Sequence, residues 1–326
     1  MTGRRQERAT VFACNWHLLS TSVQIVYASG MKKLILKRPM RSCVVVIRCT
    51  VQIAFFLWIA ITPSVQAHEF WFVPVRSPQC VGESVPLRLE VGEFFEGDPA
   101  GLSIPKTAQM RHFAASRQTD MKPLLSPDEP EVEVLFRLDR QGTHLIAFDS
   151  EPLQITLSAD LFHAYLHDEG LDFIKFQREK SGTALLPGRE RYRRNVKTLI
   201  LAGATGPNDH TFAISTGQHL ELVPAQNPMA MRPGDALVLN VTFDGKPLGG
   251  ALVKAWHKHN GQLLIIRTET SAAGRVTINL PYPGAWMLSV VHMVAATDAT
   301  DVDWESYWGN LSFYLPDRIP AAEVLQ

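Results

Sequence analysis

Cysteine is nearly absent from the useful part of this 326-residue chain. Three of its four cysteines, Cys14, Cys43 and Cys49, fall in the first 67 residues, leaving Cys80 alone beyond them. One cysteine forms no internal disulfide, so the fold must stand on its apolar core. Several catalytic signatures are missing too. The chain has no phosphate-binding glycine loop, no dinucleotide fingerprint, no H-E-x-x-H and no G-x-S-x-G elbow, and nothing supports a hydrolase or a dehydrogenase. No apolar run is long enough to span a bilayer comfortably; the longest, Val51 to Ile61 (VQIAFFLWIAI), is too short.

That run has a purpose. Basic residues from Lys32 to Arg48 precede it, Pro63 breaks it, and Val65-Gln66-Ala67 has the small-x-small shape of a signal-peptidase site. The expectation is a leader over residues 1–67, with the true start at Met31 or Met40, and a mature chain that begins at His68. No small-residue lipobox precedes Cys43 or Cys49, and the C-terminus (IPAAEVLQ) is short and polar. The mature product is therefore expected to be periplasmic or secreted, soluble, with no stable membrane insertion after cleavage.

The formal net charge of zero hides a segregation. Nine of the 32 basic side chains but one of the 32 acids lie in residues 1–67, which leaves 23 and 31 beyond, a net charge of about −8. That balance argues against nucleic acid as a partner and mildly favours cations.

After His68, the residues alternate with the period of strands. Glu69–Val75 reads as an edge strand ending near Pro74. Ser84–Val91 puts Val85, Leu87, Leu89 and Val91 on one face. Strands follow at Val132–Leu138, His144–Phe148 and Pro152–Ser158, with Arg140-Gln141-Gly142 as a turn, whereas Phe94–Pro130 is polar and reads as a long irregular loop. The period then becomes helical: Asp160 caps a run with apolar Leu161, Phe162, Tyr165 and Leu166, interrupted at Gly170 and stopped at Pro187-Gly188. Residues 159–195 read as a helical insert, followed by a strand at Val196–Ala202. Seven further strands are expected at Leu220–Val223, Ala236–Phe243, Ala251–His257, Leu263–Thr268, Val276–Leu280, Met287–Val291 and Leu311–Leu315. Asn260-Gly261 among them is a strong hairpin signal. The fold expectation is mainly β: two antiparallel β-sandwich domains of immunoglobulin or transthyretin-like type, over 68–158 and 201–326, joined by a helical insert and connecting strand over 159–200.

Histidines are the candidate chemistry. Cleavage at Ala67 gives His68 two nitrogen donors in one chelate, its α-amine and its imidazole, and the amine has a low intrinsic pKa, near 8. Imidazole suits nickel, cobalt, copper and zinc. His257 and His259 stand two apart on a strand and share a face, a usable half-site beside a hairpin turn. His163 and His167 are i, i+4 on the solvent side of the helical stripe. His292 and Met293 are strand neighbours that point to opposite faces, and His292 is the better ligand. Met229-x-Met231 reads as packing, Asp298, Asp301, Asp303 and Glu305 as a solvated acidic turn, and Arg189, Arg191, Arg193 and Arg194 as partners in ion pairs.

Six stretches carry a family resemblance: His68-Glu-Phe-Trp71, Tyr165-Leu-His-Asp-Glu-Gly-Leu171, Pro187-Gly-Arg-Glu-Arg-Tyr192, Leu220-Glu-Leu-Val-Pro224, Val291-His-Met293 and Trp304-Glu-Ser-Tyr-Trp308. In that order they resemble the bacterial secreted family described as the periplasmic component of cobalt/nickel ABC-type uptake systems, long catalogued as a domain of unknown function. Thr268–Val290 also resembles the transthyretin-like or carboxypeptidase-regulatory sandwich pattern. The resemblance implies a periplasmic nickel or cobalt binding protein, with copper or zinc as alternatives, that serves a membrane metal importer. His68 and His292 would be its ligands at matching positions. Glu93 departs from the pattern, because some relatives resemble Gly-His there, and this subtracts a possible ligand. The rival readings are a metal-free envelope interaction module and a copper-dependent oxidase with an N-terminal histidine brace.

Overall fold

The computed structural model describes residues 68–298 and 300–317. The expected leader lies outside the described residues. Among those described, no helix is long and apolar enough to cross a membrane.

The molecule is mainly β, and its centre is one nine-stranded sheet. Across it run β15 (Gln262–Glu269), β14 (Leu252–His259), β17 (Gly284–Ala295), β18 (Trp304–Leu315), β10 (Gly188–Ala202), β8 (Gly142–Ser150), β5 (Thr107–Ala114) and β6 (Arg117–Asp120). The ninth strand, β9 (Leu153–Leu157), pairs with the start of β10. Every pairing is antiparallel except β10 with β18, which run parallel from Glu190↔Trp304 to Leu199↔Phe313.

Both faces of this sheet are covered. One face, here face A, packs on β11 (Leu220–Pro224), β12 (Ala236–Phe243), β13 (Lys246–Pro247) and β16 (Arg275–Asn279). Trp286, Leu288, Val290, Leu311 and Phe313 meet Leu222, Leu239 and Ile278 there. The other, face B, is covered by β1 (Glu69–Phe72), β3 (Leu89–Glu93) and β4 (Glu96–Ala100), by the pair β2 (Ser84–Leu87) and β7 (Val134–Arg137), and by two helices, α1 (Ala159–Asp168) and α2 (Asp172–Lys180). Stacked sheets of this kind form a sandwich, with the apolar cores between layers.

Double coverage explains where sequence reading stopped short. A strand buried on both sides reads as a continuous apolar run rather than an alternation, and Trp286–Val291 of β17 is buried throughout. So β17 and β18 extend well beyond the five residues expected of each. Three corrections follow. The span Phe94–Pro130 holds β4, β5 and β6 rather than an irregular loop. Residues 189–195 are strand, not helix: the Arg189–Asn195 side chains alternate between the two faces of β10. The run Ser84–Val91 is two strands in two sheets, broken at Arg88. By contrast β12 begins and ends where its alternation does, and Asn260 and Gly261 form the β14–β15 turn with φ of 50° and 76°, the positive values that an Asn-Gly hairpin turn requires.

Candidate functional site

Register puts His68 opposite Glu93. β1 and β3 pair with Glu69 against Gly92, so one step outward the two side chains meet, with His68 Nε2 at 3.4 Å from Glu93 Oε1. The His68 side chain stays 47% exposed. Its backbone is held more firmly: Arg194 Nη1 donates to the His68 carbonyl at 2.8 Å. The Arg194 guanidinium in turn lies over the rings of Trp308 (4.5 Å), Tyr192 (5.2 Å) and Phe70 (5.6 Å). Arginine suits this place because a planar, weakly hydrated cation can stack on aromatic faces while it donates at its edge.

The next residue, Glu69, turns inward and is buried. It accepts from Ser289 Oγ at 2.7 Å, which itself accepts from Trp256 Nε1 at 3.0 Å. Two more buried carboxylates sit on this side of the central sheet. Glu190 accepts from Tyr165 Oη (3.2 Å) and from Ser306 Oγ, and Ser306 Oγ accepts from Trp308 Nε1 (3.2 Å). Glu169 accepts from Lys254 Nζ at 2.6 Å. Burial pushes the Glu190 carboxyl up, against the pull of its Ser306 and Tyr165 hydrogen bonds. Burial likewise holds Glu169 at about 7, with Lys254 pulling it down and Glu69 pushing it further up. Stretches singled out by their resemblance therefore converge on face B: Glu69, Tyr165, Glu169, Glu190, Ser306 and Trp308 bear its polar network. Val291 and Met293 pack in the apolar cluster around Tyr165 and Trp308. The remaining stretch supplies Glu221, whose ion pair with Lys197 (3.1 Å) is buried on face A.

The other expected ligands lie elsewhere. His292 faces Tyr307 in the β17–β18 register and packs on Phe243 at 4.5 Å, which puts it on face A; burial lowers its pKa. Ser289, which Glu69 reaches, belongs to face B. The sheet thus stands between His292 and the β1 strand that carries His68, and the two are not brought together. His257 is opposite Trp286 on face A, six residues before His292 along β17 and so about 20 Å from it. His257 and His259 do sit together, with ring centres 6.1 Å apart. Among the described residues no three or more His, Cys, Asp or Glu converge on a point where they could hold a metal ion. A metal site here needs either a donor from outside that set or an ion content with few ligands.

Of the remaining candidates, Met229 and Met231 are core packing, Met293 is buried against the helices, and His167 is exposed against Asp172 at 3.2 Å. Arg189 pairs with Asp303, and Arg191 with Asp298 and Glu305. One histidine pair escaped sequence reading. His112 Nε2 is 2.9 Å from His144 Nδ1, and His144 Nε2 is 2.9 Å from the Arg140 carbonyl. That carbonyl only accepts, so His144 carries its proton on Nε2 and takes a hydrogen bond from His112 at Nδ1. The two lie 32 residues apart, joined only by the β5–β8 register.

Fold and site together define a layered β-sheet protein with charge networks buried on both faces of its central sheet. The chain belongs to the family described as a domain of unknown function, DUF4198, whose model matches residues 65–294. No curated protein matches it. Solved structures with some similarity include dimeric latent PorU from Porphyromonas gingivalis, at 10% identity over 76% of this chain and 20% of that one, with a TM-score of 0.17. Another is Escherichia coli alpha-2-macroglobulin activated by porcine elastase, at 12% identity over 74% and 21%, with a TM-score of 0.16. The chain spans about a fifth of the length of each.

Proposed function

We propose that the exported protein binds a divalent transition metal, nickel or cobalt, at its mature N-terminus, and presents it to a membrane importer from the periplasm. The observation that carries this reading is the register-fixed approach of the Glu93 carboxylate to the His68 imidazole, 3.4 Å apart. Among the described residues no cluster of side chains alone makes a metal site, but proteolysis at Ala67 would add a third donor, the α-amine of His68, beside these two. Amine, imidazole and carboxylate form a borderline donor set of the kind that divalent nickel, cobalt, copper and zinc accept. The half-exposed ring leaves coordination positions open for exchange, as a carrier needs and a closed structural site does not provide. On sequence alone Glu93 counts as the loss of a possible ligand, since some relatives of the resembled uptake family resemble Gly-His there; its approach to His68 offers a carboxylate in place of that imidazole. His292 has no part in this site.

The test compares two forms of the protein that begin at His68, one with a free α-amine and one with that amine acetylated. Nickel and cobalt binding is followed by calorimetry and by elemental analysis of the desalted protein. The reading expects one equivalent on the first form, and binding at least tenfold weaker on the second and on His68→Ala. Equal binding by all three, or none by the first, would overturn it and leave the metal-free envelope module as the better description.

A further inference from the structure

We propose that His257 and His259 form a separate site for a soft monovalent cation of the copper(I) class, held between two imidazoles. This does not rest on the N-terminal reading: the residues, the face of the sheet and the ligand set are all different.

The first observation is an orphaned nitrogen. His257 Nδ1 is 2.8 Å from the carbonyl of Ala285. A carbonyl only accepts, so the ring proton is on Nδ1, and Nε2 presents its lone pair. That Nε2 is buried and has no hydrogen-bond partner, while the residue as a whole is 2% exposed. A buried acceptor without a donor is costly, and a backbone bond at the other ring nitrogen is the arrangement that orients metal-ligating histidines. Burial also lowers the His257 pKa, which keeps the ring neutral.

The second observation is the spacing. An imidazole nitrogen lies about 1 Å from its ring centre and binds a metal at about 2 Å, so two rings bridged by one ion have centres about 6 Å apart. The centres of His257 and His259 are 6.1 Å apart. The hairpin turn at Asn260-Gly261 fixes the end of β14 just beyond them, and strand alternation puts both on face A.

The surroundings select the ion. Trp286 stacks on His257 at 4.5 Å, and Tyr282 stacks on His259 at 3.8 Å. Gly284, at φ of 112°, leaves the Cε1 edge of His257 open, where a Cβ would come to 3.4 Å. The side-chain charge that acts on His257 is that of His259, not of a carboxylate. Divalent nickel, cobalt and zinc take four or more ligands, with oxygen or sulfur among them, and two imidazoles in an aromatic recess do not satisfy them. A monovalent d10 ion accepts two nitrogens in line, and its charge is favoured by the faces of neighbouring rings.

The experiment uses the protein with the His68 α-amine acetylated, which removes the N-terminal chelate. Under anaerobic conditions copper(I) is partitioned between the protein and a chromophoric copper(I) chelator, and X-ray absorption counts the ligands on the retained copper. The inference expects one equivalent, two nitrogen ligands, and at least tenfold weaker retention in His259→Ala. His259 is partly exposed, so that variant is expected to melt with the parent; His257→Ala, which opens a hole against Trp286, serves only as a secondary check. Failure of the amine-acetylated protein to retain copper(I), equal retention by His259→Ala, or a ligand count of four would each overturn it. Nickel calorimetry on the form with a free α-amine is unaffected by His259→Ala, so failure of one site is distinguishable from failure of the other.

Discussion

Arg194 holds the carbonyl oxygen of His68 at 2.8 Å while three aromatic rings hold Arg194. The first residue of the expected mature chain is thus tied at its backbone, with its half-exposed imidazole 3.4 Å from Glu93. Desolvation among the rings lowers the Arg194 pKa, against the pull of Glu69 and Glu190, yet an arginine stays charged at any ordinary pH. Replacing it with lysine removes the planar stack and leaves a compact ammonium that cannot lie flat on Trp308. Arg194→Lys is therefore expected to weaken nickel binding by the form with a free α-amine about tenfold. In the form whose α-amine is acetylated, Arg194→Lys should cause no further loss. Calorimetry on both forms checks this, and an unchanged affinity removes Arg194 as a positioning residue.

Glu93 gives a prediction in two directions. Glu93→Ala deletes an oxygen donor beside His68 and is expected to weaken nickel binding by about tenfold. Glu93→His restores the residue type that some relatives of the resembled family have, and should bind nickel at least as tightly as the parent, with a gain for copper(II), which tops the divalent affinity order. Both substitutions sit at a partly exposed strand end, so the melting temperatures are expected to stay within a few degrees of the parent. Identical metal affinity in Glu93→Ala would show that the carboxylate is a neighbour of the imidazole and not a ligand.

Legibility differed from element to element for physical reasons. The alternation of β12 and the Asn260-Gly261 turn were readable because one face of each is tied to a local pattern. β4 (EGDPA) was not, because all its residues but the last are exposed and its apolar residues, Pro99 and Ala100, are adjacent at its end and mark no alternation; pairing with β3 makes it a strand. The first helix was placed within a residue or two, and Phe162, Tyr165 and Leu166 of its expected stripe are buried, whereas Leu161, expected with them, is 41% exposed. At the proposed site, His68 was singled out by the expected cleavage signal alone. Its meeting with Glu93 depends on the β1–β3 register, and the separation of His292 from His68 depends on which layer covers each face of the sheet. Neither is a property of spacing along the chain.

The His112–His144 pair makes acid stability predictable in sign. Burial lowers the His112 pKa to about 4, and the neighbouring His144 lowers it further than burial alone would; His144 is itself lowered by burial. Unfolded histidines titrate near 6.5, so between about pH 6.5 and 4 the unfolded chain binds protons that the folded chain refuses. Stability from this pair is complete above pH 6.5 and falls as the pH drops towards 4, by up to about 3 kcal/mol for His112. Denaturant melts at pH 7 and pH 4.5 should show the loss, and His112→Gln should flatten it. A variant with the same slope as the parent would assign the acid sensitivity to other groups.

Lys197 and Glu221 form an ion pair with both side chains 2% exposed. Thr216 adds hydrogen bonds to Glu221 Oε1 from its backbone nitrogen (2.7 Å) and hydroxyl (2.6 Å), and Ser215 bonds the other oxygen. Burial alone would raise the Glu221 pKa, but Lys197 and these donors bring it to about 2. Its contribution is therefore present above the unfolded carboxylate value and is lost only as the pH falls towards 2. Lys197→Met leaves this carboxylate buried without its counter-charge and is expected to cost about 3–5 kcal/mol at neutral pH. The double variant Lys197→Met/Glu221→Leu removes both charges and should recover a large part of that loss, although Thr216 and Ser215 then lack their acceptor. A double-mutant cycle by denaturant melting separates the two outcomes. If the double variant is as unstable as the single, the cost lies in the orphaned hydroxyl and amide donors; if it recovers, the isolated buried charge was the cause.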